Sequence, residues 1–252
     1  MNKDFIIKQL QTWTNNIPLI VLGSGASVPY GLPSMNNLGD HLRQSVKLKT
    51  KNDLDQFKEF SIKLKKIGDL ESALTEIQLR PNVLVEIIAK TWELVNKSDI
   101  KAYEKLINDS DFRLYELIKY LIYPTDKKVT IITTNYDRLA EYAASLAGAF
   151  ICNGFSLSYF GHFTNLIHQN NFKNLKGFNG QVNIWKVHGS LDWFKSTDEK
   201  NLLLPLRNKI PKGLKPCIVT PGLTKYFETH TEPFRTILTQ ADSEIDNAKG
   251  YL

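Results

Sequence analysis

Cysteine is nearly absent. The two in the chain, Cys152 and Cys217, stand far apart with no CxxC near either, which argues against a disulfide framework or a cysteine-rich structural zinc site and leaves two buried, inert thiols as the expectation. Long apolar runs are missing too. No stretch approaches the roughly eighteen consecutive apolar residues of a membrane span, and Met1 to Leu10 mixes charged with apolar residues, unlike a signal peptide. A cytoplasmic protein without a membrane partner is expected. Positive charge is in small excess only, +6 over 252 residues, and Lys63, Lys65, Lys66, Lys127 and Lys128 are interspersed with acids along the chain. This reads either as a solvated surface or as attraction for an anionic ligand. The clustered patch of a nucleic-acid binder is missing, so no direct nucleic-acid binding is expected. Internal repeats and low-complexity segments are also lacking.

What is present begins with apolar material: 42% of the residues, enough for a full core in one large α/β domain or two small ones. Pro18 to Leu22 (PLIVL) reads as a buried strand running into the glycine-rich turn Gly23-Ser24-Gly25-Ala26-Ser27. From about Leu38 to Tyr123 the spacing turns helical, through Leu54, Phe57, Phe60, Leu64 and Ile67, then Val83, Ile87 and Ile88, then Tyr115, Ile118, Leu121 and Ile122. Pro124, Thr125 and Asp126 break that pattern. Val129 to Thr134 (VTIITT) predicts a second strand, ending at Asn135-Tyr136-Asp137, and Arg138 to Ala147 a helix stopped by Gly148. Phe150 to Cys152 predicts a short strand. A loop-rich region from Asn153 to Gly180 follows, then strands at Val182 to Val187 (VNIWKV), delivering His188-Gly189-Ser190, and at Cys217 to Thr220 (CIVT), ending at Pro221-Gly222. The fold class is therefore α/β, with a mostly parallel sheet and a helical insertion after the first strand. In an open parallel sheet ligands bind at the carboxyl ends of strands, so these loops can converge on one pocket.

Several residues there suit chemistry, each with a structural alternative. Gly23 and Gly25 would let the backbone approach a pyrophosphate, and a helix starting after Ser27 would aim unpaired N–H groups at it; a glycine turn is also common as plain structure. The usual GxGxxG fingerprint is lacking, because its third glycine falls at Val28. Asn135, at a strand end, can donate to and accept from a ribose hydroxyl or a water, or it can cap a helix. Asp137 can cap the Arg138 helix. His188 can act as general base or be a packed, hydrogen-bonded histidine.

Taken together these positions resemble the sirtuin family. The family's opening GAGxS, three residues and GIP align without a gap to Gly23-Ser24-Gly25-Ala26-Ser27, Val28-Pro29-Tyr30 and Gly31-Leu32-Pro33. TQN-x-D is matched by Thr133-Thr134-Asn135-Tyr136-Asp137, with Thr134 in place of glutamine, and the histidine-glycine pair by His188-Gly189. The variants TTNYD and HGS, with Leu191-Asp192-Trp193 after it, look most like the sirtuin-like domains of bacterial antiphage defence proteins. The resemblance implies a Rossmann-like sheet and an NAD glycohydrolase that releases nicotinamide and ADP-ribose, with NAD as substrate and no metal. It implies catalytic roles for Asn135, which positions the nicotinamide ribose or the attacking water, and for His188 as base. It places Gly23, Ser24, Gly25, Ala26, Ser27, Pro33, Thr134, Asp137, Gly189 and Ser190 around NAD. Asp192 and Trp193 read as a surface carboxylate and a packed aromatic.

The departures narrow the reading. Sirtuin deacylases carry Asp-Phe-Arg after GIP, where this chain has Ser34-Met35-Asn36, and a four-cysteine zinc module that two cysteines cannot build. Lysine deacylation is thereby demoted, and water becomes the natural acceptor. The family also expects a further strand and a glycine-serine loop where the chain reads Lys249-Gly250-Tyr251-Leu252. One sirtuin-like domain belonging to a longer protein is expected, as a homo-oligomer with a sensor domain or partner protein. The alternatives are a non-catalytic module that binds NAD or ADP-ribose, and an ADP-ribosyltransferase.

Overall fold

The structure is a computed structural model that describes residues 3–108, 111–123, 128–156, 158–164, 177–220 and 230–252. The break expected at Pro124 to Asp126, the Pro221-Gly222 turn and much of the loop expected between Asn153 and Gly180 lie outside the described residues. In chain order the elements are α1 (Lys3–Asn15), β1 (Ile20–Leu22), α2 (Met35–Ser45), α3 (Lys51–Ile67), α4 (Leu70–Glu76), α5 (Pro81–Leu106), α6 (Arg113–Ile122), β2 (Lys128–Thr133), α7 (Leu139–Leu146), β3 (Ala149–Cys152), β4 (Gly161–His162), β5 (Gly180–Lys186), β6 (Gly189–Lys195), β7 (Asn201–Leu203), β8 (Lys215–Ile218) and α8 (Phe234–Asp246).

Four strands in the order β1-β2-β5-β3 form a wholly parallel sheet. Period-two alternation sends Ile20, Val129, Ile131, Val182 and Ile184 to one face, where they pack with Trp92 and Val95 of α5, Ile118 and Leu121 of α6, and Ala143 and Ala144 of α7. Leu19, Ile132, Trp185 and Phe150 go to the other face, against Ile237 and Ala241 of α8. Four of the five helices between β1 and β2, α2 to α5, build a third apolar cluster of their own, including Leu42, Phe57, Phe60 and Ile87. Their ends follow local chemistry. Ser34 and Thr50 accept backbone N–H groups at the starts of α2 and α3, and Gly68 closes α3 in the left-handed region at φ 75°. The α/β class with a helical insertion after the first strand is thus the architecture observed.

Three expectations are corrected. The CIVT segment does not join the parallel sheet: β8 pairs antiparallel with β6, in a second sheet of order β4-β7-β6-β8. A short apolar run carries no signal of its partner's direction, and the chain passes into the second sheet at Gly189, whose φ of 87° only glycine adopts freely. The residues after His188, expected as a loop, are strand β6. Nor does an α-helix follow Ser27. Two 3-10 turns, Ser24–Ala26 and Val28–Tyr30, lead to Gly31 at φ 86°, and the first α-helix waits until Met35.

Strand β1, expected to be buried, is buried on one side only, since Val21 is 54% exposed. Along its outer edge residues 250–252 run parallel to it. Leu19 N–H donates to Gly250 C=O, Leu252 N–H to Leu19 C=O, and Val21 N–H to Leu252 C=O, at 2.9 to 3.0 Å. Among the described residues no helix is long and apolar enough to cross a membrane. Both cysteines are buried thiols, and burial pushes Cys152 up to about 11.

Candidate functional site

Register brings the three motifs together. Leu22 pairs with Thr133 and Thr133 with Lys186 across the parallel sheet, so β1, β2 and β5 end level with one another. The chain then leaves each strand at the same height, as Gly23, Thr134 and Val187. Thr133 stitches the first two ends: its hydroxyl donates to Leu22 C=O at 2.9 Å and accepts from Asn135 N–H at 3.0 Å.

Asn135 caps no helix. Its Nδ2 donates to Gly23 C=O at 2.8 Å and to Ser27 Oγ at 3.0 Å. Both amide protons are thus engaged, and because a backbone carbonyl only accepts, the amide must face it with its nitrogen. Oδ1 is then the atom this side chain can offer to a ligand. Ser27 Oγ donates to Asp137 Oδ2 at 2.7 Å, and Asp137 Oδ1 accepts from Leu139 N–H at 3.2 Å, at the start of α7. Asp137 therefore does two jobs, holding Ser27 and serving the α7 N-terminus. Asp99, reaching in from α5, accepts from Arg138 N–H at 2.7 Å and completes that terminus.

A cavity of about 300 Å³ opens over this cluster. Of the residues singled out from sequence, Ser24, Ser27, Pro33, Thr134, Asn135, Asp137 and His188 lie on its wall. Gly23, Gly25 and Ala26 form the exposed turn beside it, with Gly23 joined to it through the Asn135 hydrogen bond. Gly189 and Ser190 are not brought to the wall. Gly189 lies tightly against the Cys217 carbonyl, where an added Cβ would sit 2.0 Å from the oxygen, and Ser190 is fully buried in β6. Trp193 is packed as expected. Asp192 is not an exposed carboxylate: the residue is half-buried, and its Oδ1 is buried with no hydrogen-bond partner among the described residues.

Sequence reasoning missed much of the wall and all of its foundation. Met35, Leu38, Glu71 and Val95 come to the cavity from the helical insertion, and Tyr136 from the loop after β2. The Tyr136 hydroxyl donates to Val219 C=O at 2.6 Å, and Leu191 N–H donates to Tyr136 C=O at 3.0 Å, so the second sheet grips this loop. Beneath it Arg138 donates to Asp99 at 2.7 and 2.9 Å and to Asn96 at 2.8 Å, and the Tyr142 hydroxyl donates to Asp99 at 2.5 Å. Lys186, fully buried, donates to Asp137 C=O and pairs with Glu141 at 3.3 Å. A signal for these groups existed. Asn96 and Asp99 stand in the apolar stripe of α5 beside Trp92, Val95, Ala102 and Leu106, and Lys186 is the one charge in an apolar strand.

Desolvation dominates the electrostatics here. Burial raises the Asp137 carboxyl above the usual carboxylate range, with Lys186 and the Ser27 hydrogen bond acting against it. Burial also pushes Glu141 up to about 7, opposed by Lys186 and reinforced by Asp192. Among the described residues no group of three or more His, Cys, Asp or Glu is placed to hold a metal ion.

Residues 129–243, from β2 through most of α8, match the model of the SIR2-like domain family. This stretch of the chain is similar to SIR2-like domains. Solved structures similar to it are Sir2 homologues at 16% identity, each aligned over 100% of this chain and 73% of its own. They are a His-to-Asn variant in complex with ADP-ribose (TM-score 0.48), a Ser-to-Ala variant in complex with ADP-ribose (0.46) and a triple variant in complex with 2'-O-acetyl-ADP-ribose (0.45). No curated protein matches the chain. The SIR2-like match begins at β2 and so takes in Asn135, Asp137 and His188, whereas the Gly23 turn and the helical insertion lie outside it.

Proposed function

We propose that the SIR2-like domain binds NAD in the cavity beside Asn135 and His188 and hydrolyses its nicotinamide–ribose bond. Water supplies the oxygen at the ribose carbon, nicotinamide departs as a neutral base, ADP-ribose remains, and one proton is released. The observation that carries this reading is the mutual hydrogen bonding of Ser27, Asn135 and Asp137, drawn from two strand ends onto the wall of a cavity shared with His188.

An N-glycosidic cleavage passes through an oxocarbenium-like state, so it needs positioning and electrostatic support more than a strong acid. Asn135 Oδ1 accepts from the attacking water or a ribose hydroxyl. His188 takes up the proton. The turn at Gly23 to Ser27 serves the pyrophosphate: Gly23 and Gly25 have no positive φ, and among the described residues nothing beyond their chain neighbours lies within 4 Å of where a Cβ would stand. Open space at both Cβ positions supports close approach of a ligand as the reason for these glycines.

The TTNYD and HGSLDW variants support placing the reaction in antiphage defence in the cytoplasm, with an oligomer or a sensor partner governing activity. Incubation with NAD and quantification of nicotinamide and ADP-ribose tests the chemistry. Asn135→Ala and His188→Ala are each expected to lower turnover at least about a hundredfold while leaving the melting temperature near that of the parent. Wild-type rates in either variant remove that residue from the mechanism, and binding of NAD without release of nicotinamide favours a binding module instead.

A further inference from the structure

Lys186 ends β5 two residues before His188, and no part of it reaches solvent. A lysine ammonium in that position is costly unless it is paired and hydrogen-bonded. Here it lies directly beneath the Asn135–Asp137 loop, donating to the Asp137 carbonyl and paired with Glu141 at 3.3 Å.

We propose that Lys186, held by Glu141, is a positioning residue that anchors the Asp137 end of the loop and keeps the Asp137 side chain a pure acceptor, so that Ser27 donates to Asp137 and Asn135 donates to Ser27. The direction of each hydrogen bond follows from the one before it. An ionised carboxylate can only accept, so the single Ser27 proton goes to Asp137 Oδ2, and the Ser27 oxygen is left to accept from Asn135 Nδ2. The second amide proton goes to Gly23 C=O, and Oδ1 is offered to the cavity. A protonated Asp137 would donate to Ser27 and turn the hydroxyl proton toward Asn135. The amide could meet that proton only by flipping, which would set its oxygen against the Gly23 carbonyl. A charge two shells away thus fixes which atom Asn135 presents.

The charged and titratable groups around Asp137 come from every neighbouring element: Lys186 from β5, Asp99 from α5, Arg138 and Glu141 at α7, and Asp192 from β6, with His188 and Glu71 across the cavity. Lys186 opposes the effect of burial on Asp137, while Glu141 and Asp137 repel one another. Wherever Glu141 is ionised, removing the cation and removing the neighbouring carboxylate therefore act on Asp137 in opposite directions.

The significance of Asn135 rests on the NAD reading above, whereas the titration does not, so the first measurement needs no substrate. The carboxyl carbon signal of Asp137, assigned by its loss in Asp137→Asn, is followed by NMR against pH in the wild type, Lys186→Met and Glu141→Gln. The midpoint is expected to rise by at least one unit in Lys186→Met, equivalent to about tenfold, and to fall in Glu141→Gln. NAD turnover is then measured across the same range. Lys186→Met is expected to lose about tenfold or more at neutral pH and to recover as pH rises. A midpoint unchanged in both variants, or moved the same way in both, overturns the proposal. Should Lys186→Met fail to fold, the direction of the Glu141→Gln shift decides alone. A wild type that never turns NAD over removes the reading of the reaction and leaves the titration result standing.

Discussion

An added methyl group separates the two glycines that flank the site. At Gly189 the backbone stands at φ 87° and a Cβ would overlap the Cys217 carbonyl at 2.0 Å, so left-handed strain and overpacking add. Gly189→Ala is expected to destabilise the protein by about 3 kcal/mol or more, read as a lower midpoint in denaturant. At Gly25 φ is unexceptional and the Cβ position is open. Gly25→Ala is expected to melt with the parent yet bind NAD at least about tenfold more weakly, a difference of roughly 1.4 kcal/mol by titration calorimetry. Unchanged affinity there would detach the turn from the ligand. The same contrast sets Gly189 apart from the other positions expected around NAD: its glycine is accounted for by the turn into β6, where φ is 87° and a Cβ would meet the Cys217 carbonyl.

At the scale of elements, the join between α5 and α7 carries the site. Asp99 is fully buried on α5 and satisfies the Arg138 N–H, the Arg138 guanidinium and the Tyr142 hydroxyl together. Truncation to Ala leaves a buried guanidinium without its counter-charge, a loss of about 3–5 kcal/mol where one partner of such a pair is removed. Asp99→Ala is accordingly expected to lower the melting temperature strongly, whereas Arg138→Ala in the same background should cost much less than it does alone. Strict additivity in that double-mutant cycle would refute the coupling. The helices of the insertion were legible because their apolar spacing is local, as at Phe57, Phe60 and Leu64. Their contribution to the cavity was not, since nothing in the spacing of Leu38, Glu71 or Val95 says which strand end they will face.

Across the whole molecule, what could be read beforehand divides by sequence separation. The ends of β1, β2 and β5 announce themselves through residues side by side in the chain, and level register in a parallel sheet does the rest, bringing Ser27 within 2.7 Å of Asp137 across 110 positions. The second sheet and the buried charges depend on pairings that no local pattern encodes, such as Lys186 with Glu141, 45 residues apart. Those charges should govern how stability responds to pH. Burial lifts Glu141 from a usual value of 4.5 to about 7 in the folded state, so between these values the folded chain holds a proton that the unfolded chain has released. Stability attributable to this group is complete below about 4.5 and declines as pH rises toward 7, because the folded state binds more protons there. Glu141→Gln, which cannot ionise, should show a flatter dependence of unfolding free energy on pH across that window than the wild type. A wild type whose stability rises through the same window in parallel with the variant would mean that Lys186 holds Glu141 ionised throughout, with the buried pair acting as a permanent salt bridge.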